Sequence, residues 1–305
     1  MKIGLIAQLH GRPDGATPAP TWGSVRNLAM TAEAVGFDMF VFEDTLLYRG
    51  EQTSDGVWES VSIAGAVAEA TERIHFGQSV INSPYRSPSM VASIATTLDE
   101  ISAGRYVLGI GAGNTADSDY EAFGFPTDRR YSRFAEAIGI IHGMLRSGGI
   151  DHAGEFYTAK DAELVLRGPH PHGPPINIAA GGPKMLTLAA KYADAWNWWV
   201  YDEDIEQVTE RISSIITTLD EACAAEGRDP ASLARTLDLY TVTPPGFDPS
   251  EASLENVPSG SSEEISQFIL ELGDMGITEV RCDLSDNAPH AVEAMAEVVD
   301  LVHAG

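Results

Sequence analysis

The stretch INIAAGGPKMLTLAAKYADAWNWWV, residues 176–200, holds one complete unit of the fold. It begins with an apolar run at 176–180, continues as a helical pattern over 184–192 and ends with a second apolar run at 195–200. Short continuous apolar runs are typical of parallel strands that are buried on both faces. The stretch therefore predicts a strand, a helix and a second, parallel strand.

The same alternation extends over the whole chain. The predicted strands cover residues 2–7, 39–42, 74–80, 106–110, 176–180, 195–200, 237–242 and 279–284. The predicted helices cover residues 27–35, 57–70, 89–101, 134–145, 184–192, 205–226, 265–275 and 291–303. Eight parallel strands close a barrel whose interior is filled by side chains. The sequence therefore predicts an α/β fold, a (β/α)8 TIM barrel that forms a single domain over residues 1–305.

Two irregular stretches interrupt the alternation, at residues 148–175 and 244–260. We expect both to be loop insertions at the C-terminal face of the barrel, where long loops often cover an active site. A doubly wound open sheet is the rival fold, but its first strand should lead into a glycine-rich phosphate loop. Residues 7–13, AQLHGRP, do not provide one.

Composition argues against several classes of partner. The chain has 45 acidic and 19 basic residues, a formal net charge of -26, and the acidic residues are spread along it. Such a surface repels nucleic acid and anionic membranes, so we expect neither as a partner. Cys223 and Cys282 lie far apart without a metal-ligand spacing, which is typical of reduced core cysteines in a cytoplasmic protein. No apolar run is long enough to span a bilayer, and the N-terminus begins with a strand rather than a signal peptide.

Candidate site residues follow from the predicted strand ends, because catalytic groups of such barrels lie at the C-terminal ends of the strands. These ends carry polar, aromatic and small residues: Gln8, His10, Glu43, Asp44, Thr45, Ser79, Val80, Asn82, Ala112, Gly113, Asn114, Ala180, Gly181, Gly182, Pro183, Asn197, Trp198, Trp199, Arg281 and Asp283. The set contains neither a metal-ligand cluster nor a Ser/His/Asp triad. We therefore expect no metal site.

Two glycine-rich segments at strand ends indicate a ligand with a phosphate and a flat ring. Gly181-Gly182-Pro183-Lys184 joins a strand to a helix, and the free N–H groups at a helix start favour phosphate. A tight turn without a ligand is the alternative for this segment. Residues 109–114, GIGAGN, are not followed by the helix that a dinucleotide loop opens, so we expect their glycines to clear room for a flat ring.

His10 and Asp44 are the candidates for proton chemistry. Each has an alternative role as a hydrogen-bond anchor at a strand end. The neighbouring Glu43 favours Asp44, because adjacent carboxylates in a pocket can raise one another's pKa. Arg281 faces either an anionic substrate or an acidic partner within the protein.

Several segments resemble the luciferase-like superfamily, the family of bacterial luciferase. The matching segments are residues 77–84 (GQSVINSP), 86–88 (RSP), 96–105 (TTLDEISAGR), 107–113, 123–126 (FGFP), 133–134, 179–183 and 189–196 (AAKYADAW). They cover most of the chain and keep the order of the family. Within the superfamily, the chain is most similar to the branch that uses coenzyme F-420 (F420), a deazaflavin, and to methylenetetrahydromethanopterin reductase-like proteins.

The resemblance implies where a cofactor would lie. It implies a cis peptide bond between Ser79 and Val80, in a bulge that backs the deazaflavin ring, and it assigns the cofactor phosphate to the turn at 180–183. The cofactor contacts that it implies are Asp44, Ser79, Val80, Asn82, Ala112, Gly113, Asn114, Ala180, Gly181, Gly182 and Pro183.

Two departures from the pattern of the family bear on the substrate. Thr45 stands where members that act on sugar phosphates or secondary alcohols carry a His. Asn114 stands where the sugar-phosphate dehydrogenases carry a Glu. Both departures disfavour these substrate classes.

The sequence favours one function and leaves two alternatives open. The favoured function is an F420-dependent oxidoreductase that transfers a hydride between the coenzyme and a small organic substrate, with Asp44 or His10 as the proton donor or acceptor. One alternative is an FMN-dependent luciferase-like monooxygenase, and the other is a non-catalytic barrel that only binds a cofactor. We expect a small-molecule substrate and a homodimer.

Overall fold

The structure is a computed structural model that describes residues 1–11, 18–49, 54–113, 119–200, 205–249 and 258–305. Its strands are β1 (Lys2–Ala7), β2 (Met39–Phe42), β3 (Leu47–Arg49), β4 (Ser54–Gly56), β5 (His75–Gln78), β6 (Ile81–Asn82), β7 (Tyr106–Gly111), β8 (Gly149–Ala153), β9 (Thr158–Glu163), β10 (Ile176–Ala179), β11 (Ala195–Val200), β12 (Ala234–Val242) and β13 (Glu279–Leu284).

Eight parallel strands close on themselves to form the central barrel. Their order is β1, β2, β5, β7, β10, β11, β12 and β13, and β13 pairs again with β1. The pairing of β7 with β10, where Leu108 lies beside Ile176, completes the ring of strands. The predicted (β/α)8 barrel is therefore confirmed.

Helices follow the barrel strands and cover their outer surface. In the described part of the chain they are α1 (Trp22–Val35), α2 (Ser60–Ala70), α3 (Pro88–Ile101), α4 (Asp119–Phe123), α5 (Arg130–Ser147), α6 (Pro183–Tyr192), α7 (Ile205–Ala225), α8 (Ser262–Asp274), α9 (Pro289–Ala294) and α10 (Ala296–Ala304). Local sequence fixes several of their ends. Ser261 and Glu264 form a capping box at the start of α8, and Gly36 ends α1 in the left-handed conformation that favours glycine.

The main difference from the sequence prediction is the stretch 148–175. It is not an irregular loop over the mouth, because β8 and β9 form an antiparallel hairpin that lies along α5. Its turn rests on the start of α5, where Glu136 accepts hydrogen bonds from the backbone of Phe156 and Tyr157. The charged and polar residues of this hairpin hid its strand pattern. The last predicted helix, 291–303, is divided at Met295 into α9 and α10.

The core lies between the barrel and the helices, and it includes both cysteines, which are buried and free. Within the described ranges, no helix is long and apolar enough to cross a membrane. The inside of the barrel differs from this apolar layer. The inside of the barrel holds the side chain of Arg281, which is almost completely buried. Gly4 faces this interior, since a Cβ on Gly4 would lie 2.9 Å from Cγ of Arg281.

Gly109 of β7 tests how tightly the barrel is packed. A Cβ at this position would overlap the carbonyl oxygen of Gln78. We expect Gly109→Ala to lower the free energy of unfolding by about 1–3 kcal/mol, because the backbone after β5 must move. Urea unfolding measures the change. Gly56→Ala is the matched control, since nothing lies within 4 Å of its Cβ, and equal stabilities of the two variants would contradict the packing described here.

Candidate active site at the barrel mouth

The carboxyl ends of β1, β2 and β13 bring polar side chains together at the mouth of the barrel. Gln8 and His10 follow β1, Glu43 follows β2, and Asp283 is near the end of β13. Because β1 pairs with both β2 and β13, these side chains come from adjacent strands. We call them the mouth cluster.

Glu43 is the centre of the mouth cluster. Its Oε1 accepts hydrogen bonds from the Leu9 N–H at 3.1 Å and from His10 Nδ1 at 2.6 Å. Its Oε2 accepts one from the Tyr48 hydroxyl at 2.6 Å, and the rings of His10 and Tyr48 pack with centroids 4.7 Å apart. Glu43 thus fixes both the position and the orientation of the imidazole.

The same contacts determine the protonation of His10. Burial lowers its pKa, but the hydrogen bond and charge of Glu43, with the charges of Asp283 and Asp55, raise it more. The net effect is a pKa above the ordinary value of about 6.5. His10 therefore keeps its proton to a higher pH than an unperturbed histidine does.

Asp283 is the second carboxylate of the mouth cluster. Gln8 Nε2 lies 3.1 and 3.2 Å from its two oxygens, and Asn287 Nδ2 donates to it at 3.0 Å. Burial raises the pKa of Asp283 to about 6, with a further contribution from the charge of Glu43. Two acids and one imidazole therefore lie close together on this side of the mouth.

Asp44 lies behind the mouth cluster, and its side chain does not face the mouth. Its side chain is fully buried, and Arg86 donates two hydrogen bonds to it at 2.7 and 2.9 Å. Ser60 Oγ donates a third at 2.6 Å and the Asn82 N–H a fourth at 2.9 Å. This geometry favours the hydrogen-bond anchor over the proton role that we expected for Asp44. Burial raises the pKa of Asp44 and the contacts of Arg86 oppose the rise, so the expected influence of Glu43 is not needed to explain it.

Asn82 belongs to the same anchor. Besides the bond from its N–H, its Nδ2 donates to the Asp44 carbonyl oxygen at 2.6 Å, and the Tyr120 hydroxyl lies 3.4 Å from its Oδ1. Its side chain is buried. Asn82 therefore holds the backbone after β5 against the backbone after β2.

The segment between β5 and β6 lines the mouth with the half-buried residues Ser79 and Val80. The peptide bond between them is cis, as the resemblance implied. Val80 packs on β7, because a Cβ on Gly111 would lie 2.8 Å from Val80 Cγ2. The glycines of β7 therefore make room for this segment, rather than directly for a flat ring as the sequence suggested.

The turn at 180–183 lies where β10 leads into α6. Ala180 is buried, and its carbonyl oxygen accepts a hydrogen bond from Trp196 Nε1 at 2.7 Å. Gly182 and Pro183 are exposed at the start of α6, and nothing lies within 4 Å of a Cβ on Gly182. A Cβ on Gly181 would overlap the ring of Trp198, which covers this glycine. The helix start is therefore open, with an aromatic ring beside it.

Cationic side chains accompany this turn. Lys184 is the second residue of α6, and its Nζ lies 5.6 Å from the centre of the Tyr131 ring. The Arg211 guanidinium lies 5.2 Å from the ring centre of Trp198, which stacks on Trp199 at 4.7 Å. Two cationic side chains, Lys184 and Arg211, therefore lie near this turn.

Ala112 and Gly113 follow β7 and are half-buried. Gly113 has a φ of 80°, and a Cβ there would overlap the Tyr120 hydroxyl, so only glycine fits. Arg130 donates to the Gly113 carbonyl oxygen at 2.8 Å. Asn114, a predicted cofactor contact, lies outside the described residues.

Sequence reasoning missed the partners that give these residues their roles. Arg86 as the counterion of Asp44 and Tyr48 as a donor to Glu43 were not among the candidates, because both lie outside the strands of the barrel. Asp238, which lies inside the barrel beside the predicted candidate Asn197, could have been found from strand periodicity. In the part of the chain that the structure describes, no three His, Cys, Asp or Glu side chains come together as a metal site.

Comparison with known proteins places this geometry in a family. Residues 1–257 match the model of the family described as luciferase-like monooxygenase. The chain belongs to this family. The resemblance inferred from the sequence is thereby confirmed.

Curated relatives in this luciferase-like family include F420-dependent enzymes and monooxygenases. The chain is 38% identical over 133 residues to 5,10-methylenetetrahydromethanopterin reductase of Archaeoglobus fulgidus, covering 44% of this chain and 39% of the relative. It is 30% identical over 223 residues to F420-dependent glucose-6-phosphate dehydrogenase of Beutenbergia cavernae, with 72% and 63% covered. It is 35% identical over 165 residues to 4-hydroxyprotoasukamycin monooxygenase of Streptomyces nodosus subsp. asukaensis, with 52% and 43% covered. The chain spans about half the length of the curated relatives it matches.

A solved structure shows the same fold over nearly the whole chain. It is an F420-dependent secondary alcohol dehydrogenase in complex with an F420-acetone adduct. The TM-score is 0.80 at 20% identity, and the match covers 99% of this chain and 98% of the other. At this identity the likeness concerns the fold.

The pairing of His10 with Glu43 can be tested by titration. We expect Glu43→Gln to lower the pKa of His10, because the opposing effect of burial remains. In the wild type, the stabilisation from this pair is present below the unfolded pKa of about 6.5 and is lost as pH rises through the higher folded pKa. NMR titration of the histidine ring carbons measures the shift. His142, which lies on α5, is the internal control, and an unchanged His10 pKa in the variant would contradict the pairing.

Proposed function

We propose that this protein is an F420-dependent oxidoreductase that transfers a hydride between the coenzyme and a small organic substrate. The observation that carries the proposal is the open start of α6 at Gly182, which lies at the mouth of a barrel shared with F420-dependent relatives. When bound, the deazaflavin supplies the carbon that donates or accepts the hydride. The polypeptide then has to bind the phosphate of the cofactor, support its flat ring and transfer a proton to or from the substrate.

The turn at 181–183 suits the phosphate of such a cofactor. Pro183 has no N–H and the Met185 N–H donates to the Gly182 carbonyl oxygen at 2.9 Å, so the Lys184 N–H is the donor that the first turn of α6 offers, and Gly182 has no side chain that could cap it. The helix dipole and Lys184 add positive charge at the same place. The ring of Trp198 over Gly181 leaves the approach to Gly182 open.

The mouth of the barrel suits the ring. Ser79 and Val80 form a half-buried surface at the end of β5, and Asn82 and Asp44 fix the backbone that follows. A rigid apolar surface of this kind orients a ring without using its polar edge. We propose that the ring rests on Val80 and that Asn82 and Asp44 act through the backbone.

His10 is the residue that we assign to proton transfer. Hydride transfer to a carbonyl carbon leaves negative charge on its oxygen, and a positioned acid neutralises that charge. Glu43 holds His10 through Nδ1, so Nε2 is the ring nitrogen that can face a substrate. In the reverse direction, the neutral ring takes the proton from an alcohol.

An FMN-dependent monooxygenase is the second candidate. The relative named 4-hydroxyprotoasukamycin monooxygenase favours it, and the same open helix start would take the phosphate of FMN. A barrel that binds a cofactor without turnover is the third. The ordered contacts of His10 argue against it, because a binding protein has no need of a positioned proton donor.

Gly182 provides the test of cofactor binding. We expect the protein to quench F420 fluorescence on binding and to bind F420 more tightly than FMN. Gly182→Asp should weaken binding at least tenfold, because its carboxylate occupies the helix start and repels phosphate. Asp is a good N-cap residue, so the variant should fold.

Gly182→Ala is the matched control, since its methyl group meets no neighbour and brings no charge. Tight binding of FMN with no binding of F420 would overturn the proposed function in favour of the monooxygenase. Unchanged F420 binding by Gly182→Asp would show that the phosphate does not bind at this turn.

The role of His10 is tested by His10→Gln. We expect turnover to fall by roughly 10²–10⁴-fold, the usual contribution of general acid–base catalysis, while the Kd for F420 stays unchanged. F420 absorbance follows turnover of the best substrate from a panel of alcohols and ketones. His142→Gln, which alters a half-buried histidine on α5, is the control. Full activity of His10→Gln would show that another group moves the proton.

A further inference from the structure

A second polar cluster lies inside the barrel, below the mouth. It consists of Ser79, Asn197, Asp238, Glu279 and Arg281, which come from the end of β5 and from β11, β12 and β13. Asp238 and Arg281 are 3% and 2% exposed, so both charges are removed from water. We call this group the interior cluster. Of its members, only Ser79 has a role in the proposed function.

The contacts within the interior cluster are unequal. Arg281 Nε donates to Glu279 Oε1 at 2.5 Å, whereas Arg281 Nη1 lies 3.5 Å from Asp238 Oδ1. Asp238 Oδ1 has no hydrogen-bond partner among the described residues. Glu279 is therefore the closer partner of the guanidinium, and Asp238 is the more distant one.

The short contact of Asp238 is with Ser79. Asp238 Oδ2 accepts a hydrogen bond from the Ser79 hydroxyl at 2.6 Å and one from Asn197 Nδ2 at 3.1 Å. Arg281 Nη1 lies 3.3 Å from the same hydroxyl oxygen. Burying a carboxylate is costly unless donors surround it, and here only Oδ2 of Asp238 has close donors. An acid at this place needs a reason other than stability.

Ser79 connects the interior cluster to the mouth. Its N–H donates to the Phe42 carbonyl oxygen at 2.9 Å, its hydroxyl donates to Asp238, and its neighbour Val80 faces the mouth. A shift of Ser79 would move Val80, which packs on Gly111. The interior cluster can thus act on the mouth through a single hydroxyl group.

We propose that Asp238 is a positioning residue that holds Ser79, and through it the surface on which the cofactor ring rests, in the binding geometry. This inference rests on the proposed function, because it assigns the cofactor to the mouth. Asp238 touches neither cofactor nor substrate, and its effect passes through the Ser79 hydroxyl.

A double-mutant cycle on cofactor affinity tests the proposal. Ser79→Ala and Asp238→Ala should each raise the Kd for F420 about tenfold, as expected for the loss of one hydrogen bond to a charged group. The double variant should be no weaker than the weaker single variant, because both changes break the same link. Additive losses, about a hundredfold in the double variant, would overturn the proposal.

Two further variants separate positioning from a general effect on folding. Asp238→Asn keeps an oxygen acceptor for Ser79, so its Kd should lie between those of the wild type and Asp238→Ala. It also replaces Asp238→Ala in the cycle if that variant does not fold. Asp220→Ala, which removes a carboxylate 2.5 Å from Arg235 near the surface, should leave the Kd unchanged.

The absorbance spectrum of bound F420 gives a readout that folding alone would not move. The spectra of Ser79→Ala and Asp238→Ala should change in the same way, and different changes would contradict a shared path. If the wild type binds FMN instead of F420, the cycle is measured with FMN, and the inference survives the failure of the proposed cofactor. If the wild type binds neither, both proposals fail. Wild-type binding with additive losses overturns this inference alone.

Discussion

Closure of the sheet between β1 and β13 is the constraint on which the rest of the structure depends. Every strand of a closed barrel pairs with a neighbour on each side. Here β1 pairs with β2 on one side and with β13 on the other. Closure brings residues that are more than 270 positions apart, such as Gln8 and Asp283, into hydrogen-bond contact. It also removes the sheet edges that would otherwise need protection. The mouth is a consequence of closure, because all the carboxyl ends of the strands then meet on one face.

Neighbouring residues in and after the strands have different roles, because their side chains make different contacts. Glu43 and Asp44 are neighbours in sequence, yet Glu43 contacts His10 and Asp44 contacts Arg86. Glu43 holds the imidazole at the mouth, and Asp44 joins two loops. The pattern repeats on β11, where Asn197 points into the barrel and Trp196 is enclosed by the apolar layer. Each strand therefore contributes to the core and to the site with alternate residues.

The fold could be predicted from the sequence because its signal is local and repeated. Buried parallel strands read as apolar runs, and glycine or proline marks most of the turns between them. The hairpin of β8 and β9 could not be predicted in this way, since its residues are mostly polar and its stability comes from packing on α5. The strand ends predicted both His10 and Asp44 as candidate site residues. The strand ends could not show that only His10 faces the mouth. The position of each side chain depends on its partner, which is Glu43 for His10 and Arg86 for Asp44.

Charged residues lie at separate places around the mouth. Lys184 and the positive start of α6 follow β10, whereas Glu43 follows β2 and Asp283 lies on β13. Around the barrel, β10 lies four strands from β1 in either direction, so the strand order keeps the cation and the two acids apart. A molecule with one anionic end is attracted towards Lys184 and repelled by the acids, which favours one orientation of its approach. The order of the strands therefore determines which end of such a molecule meets α6.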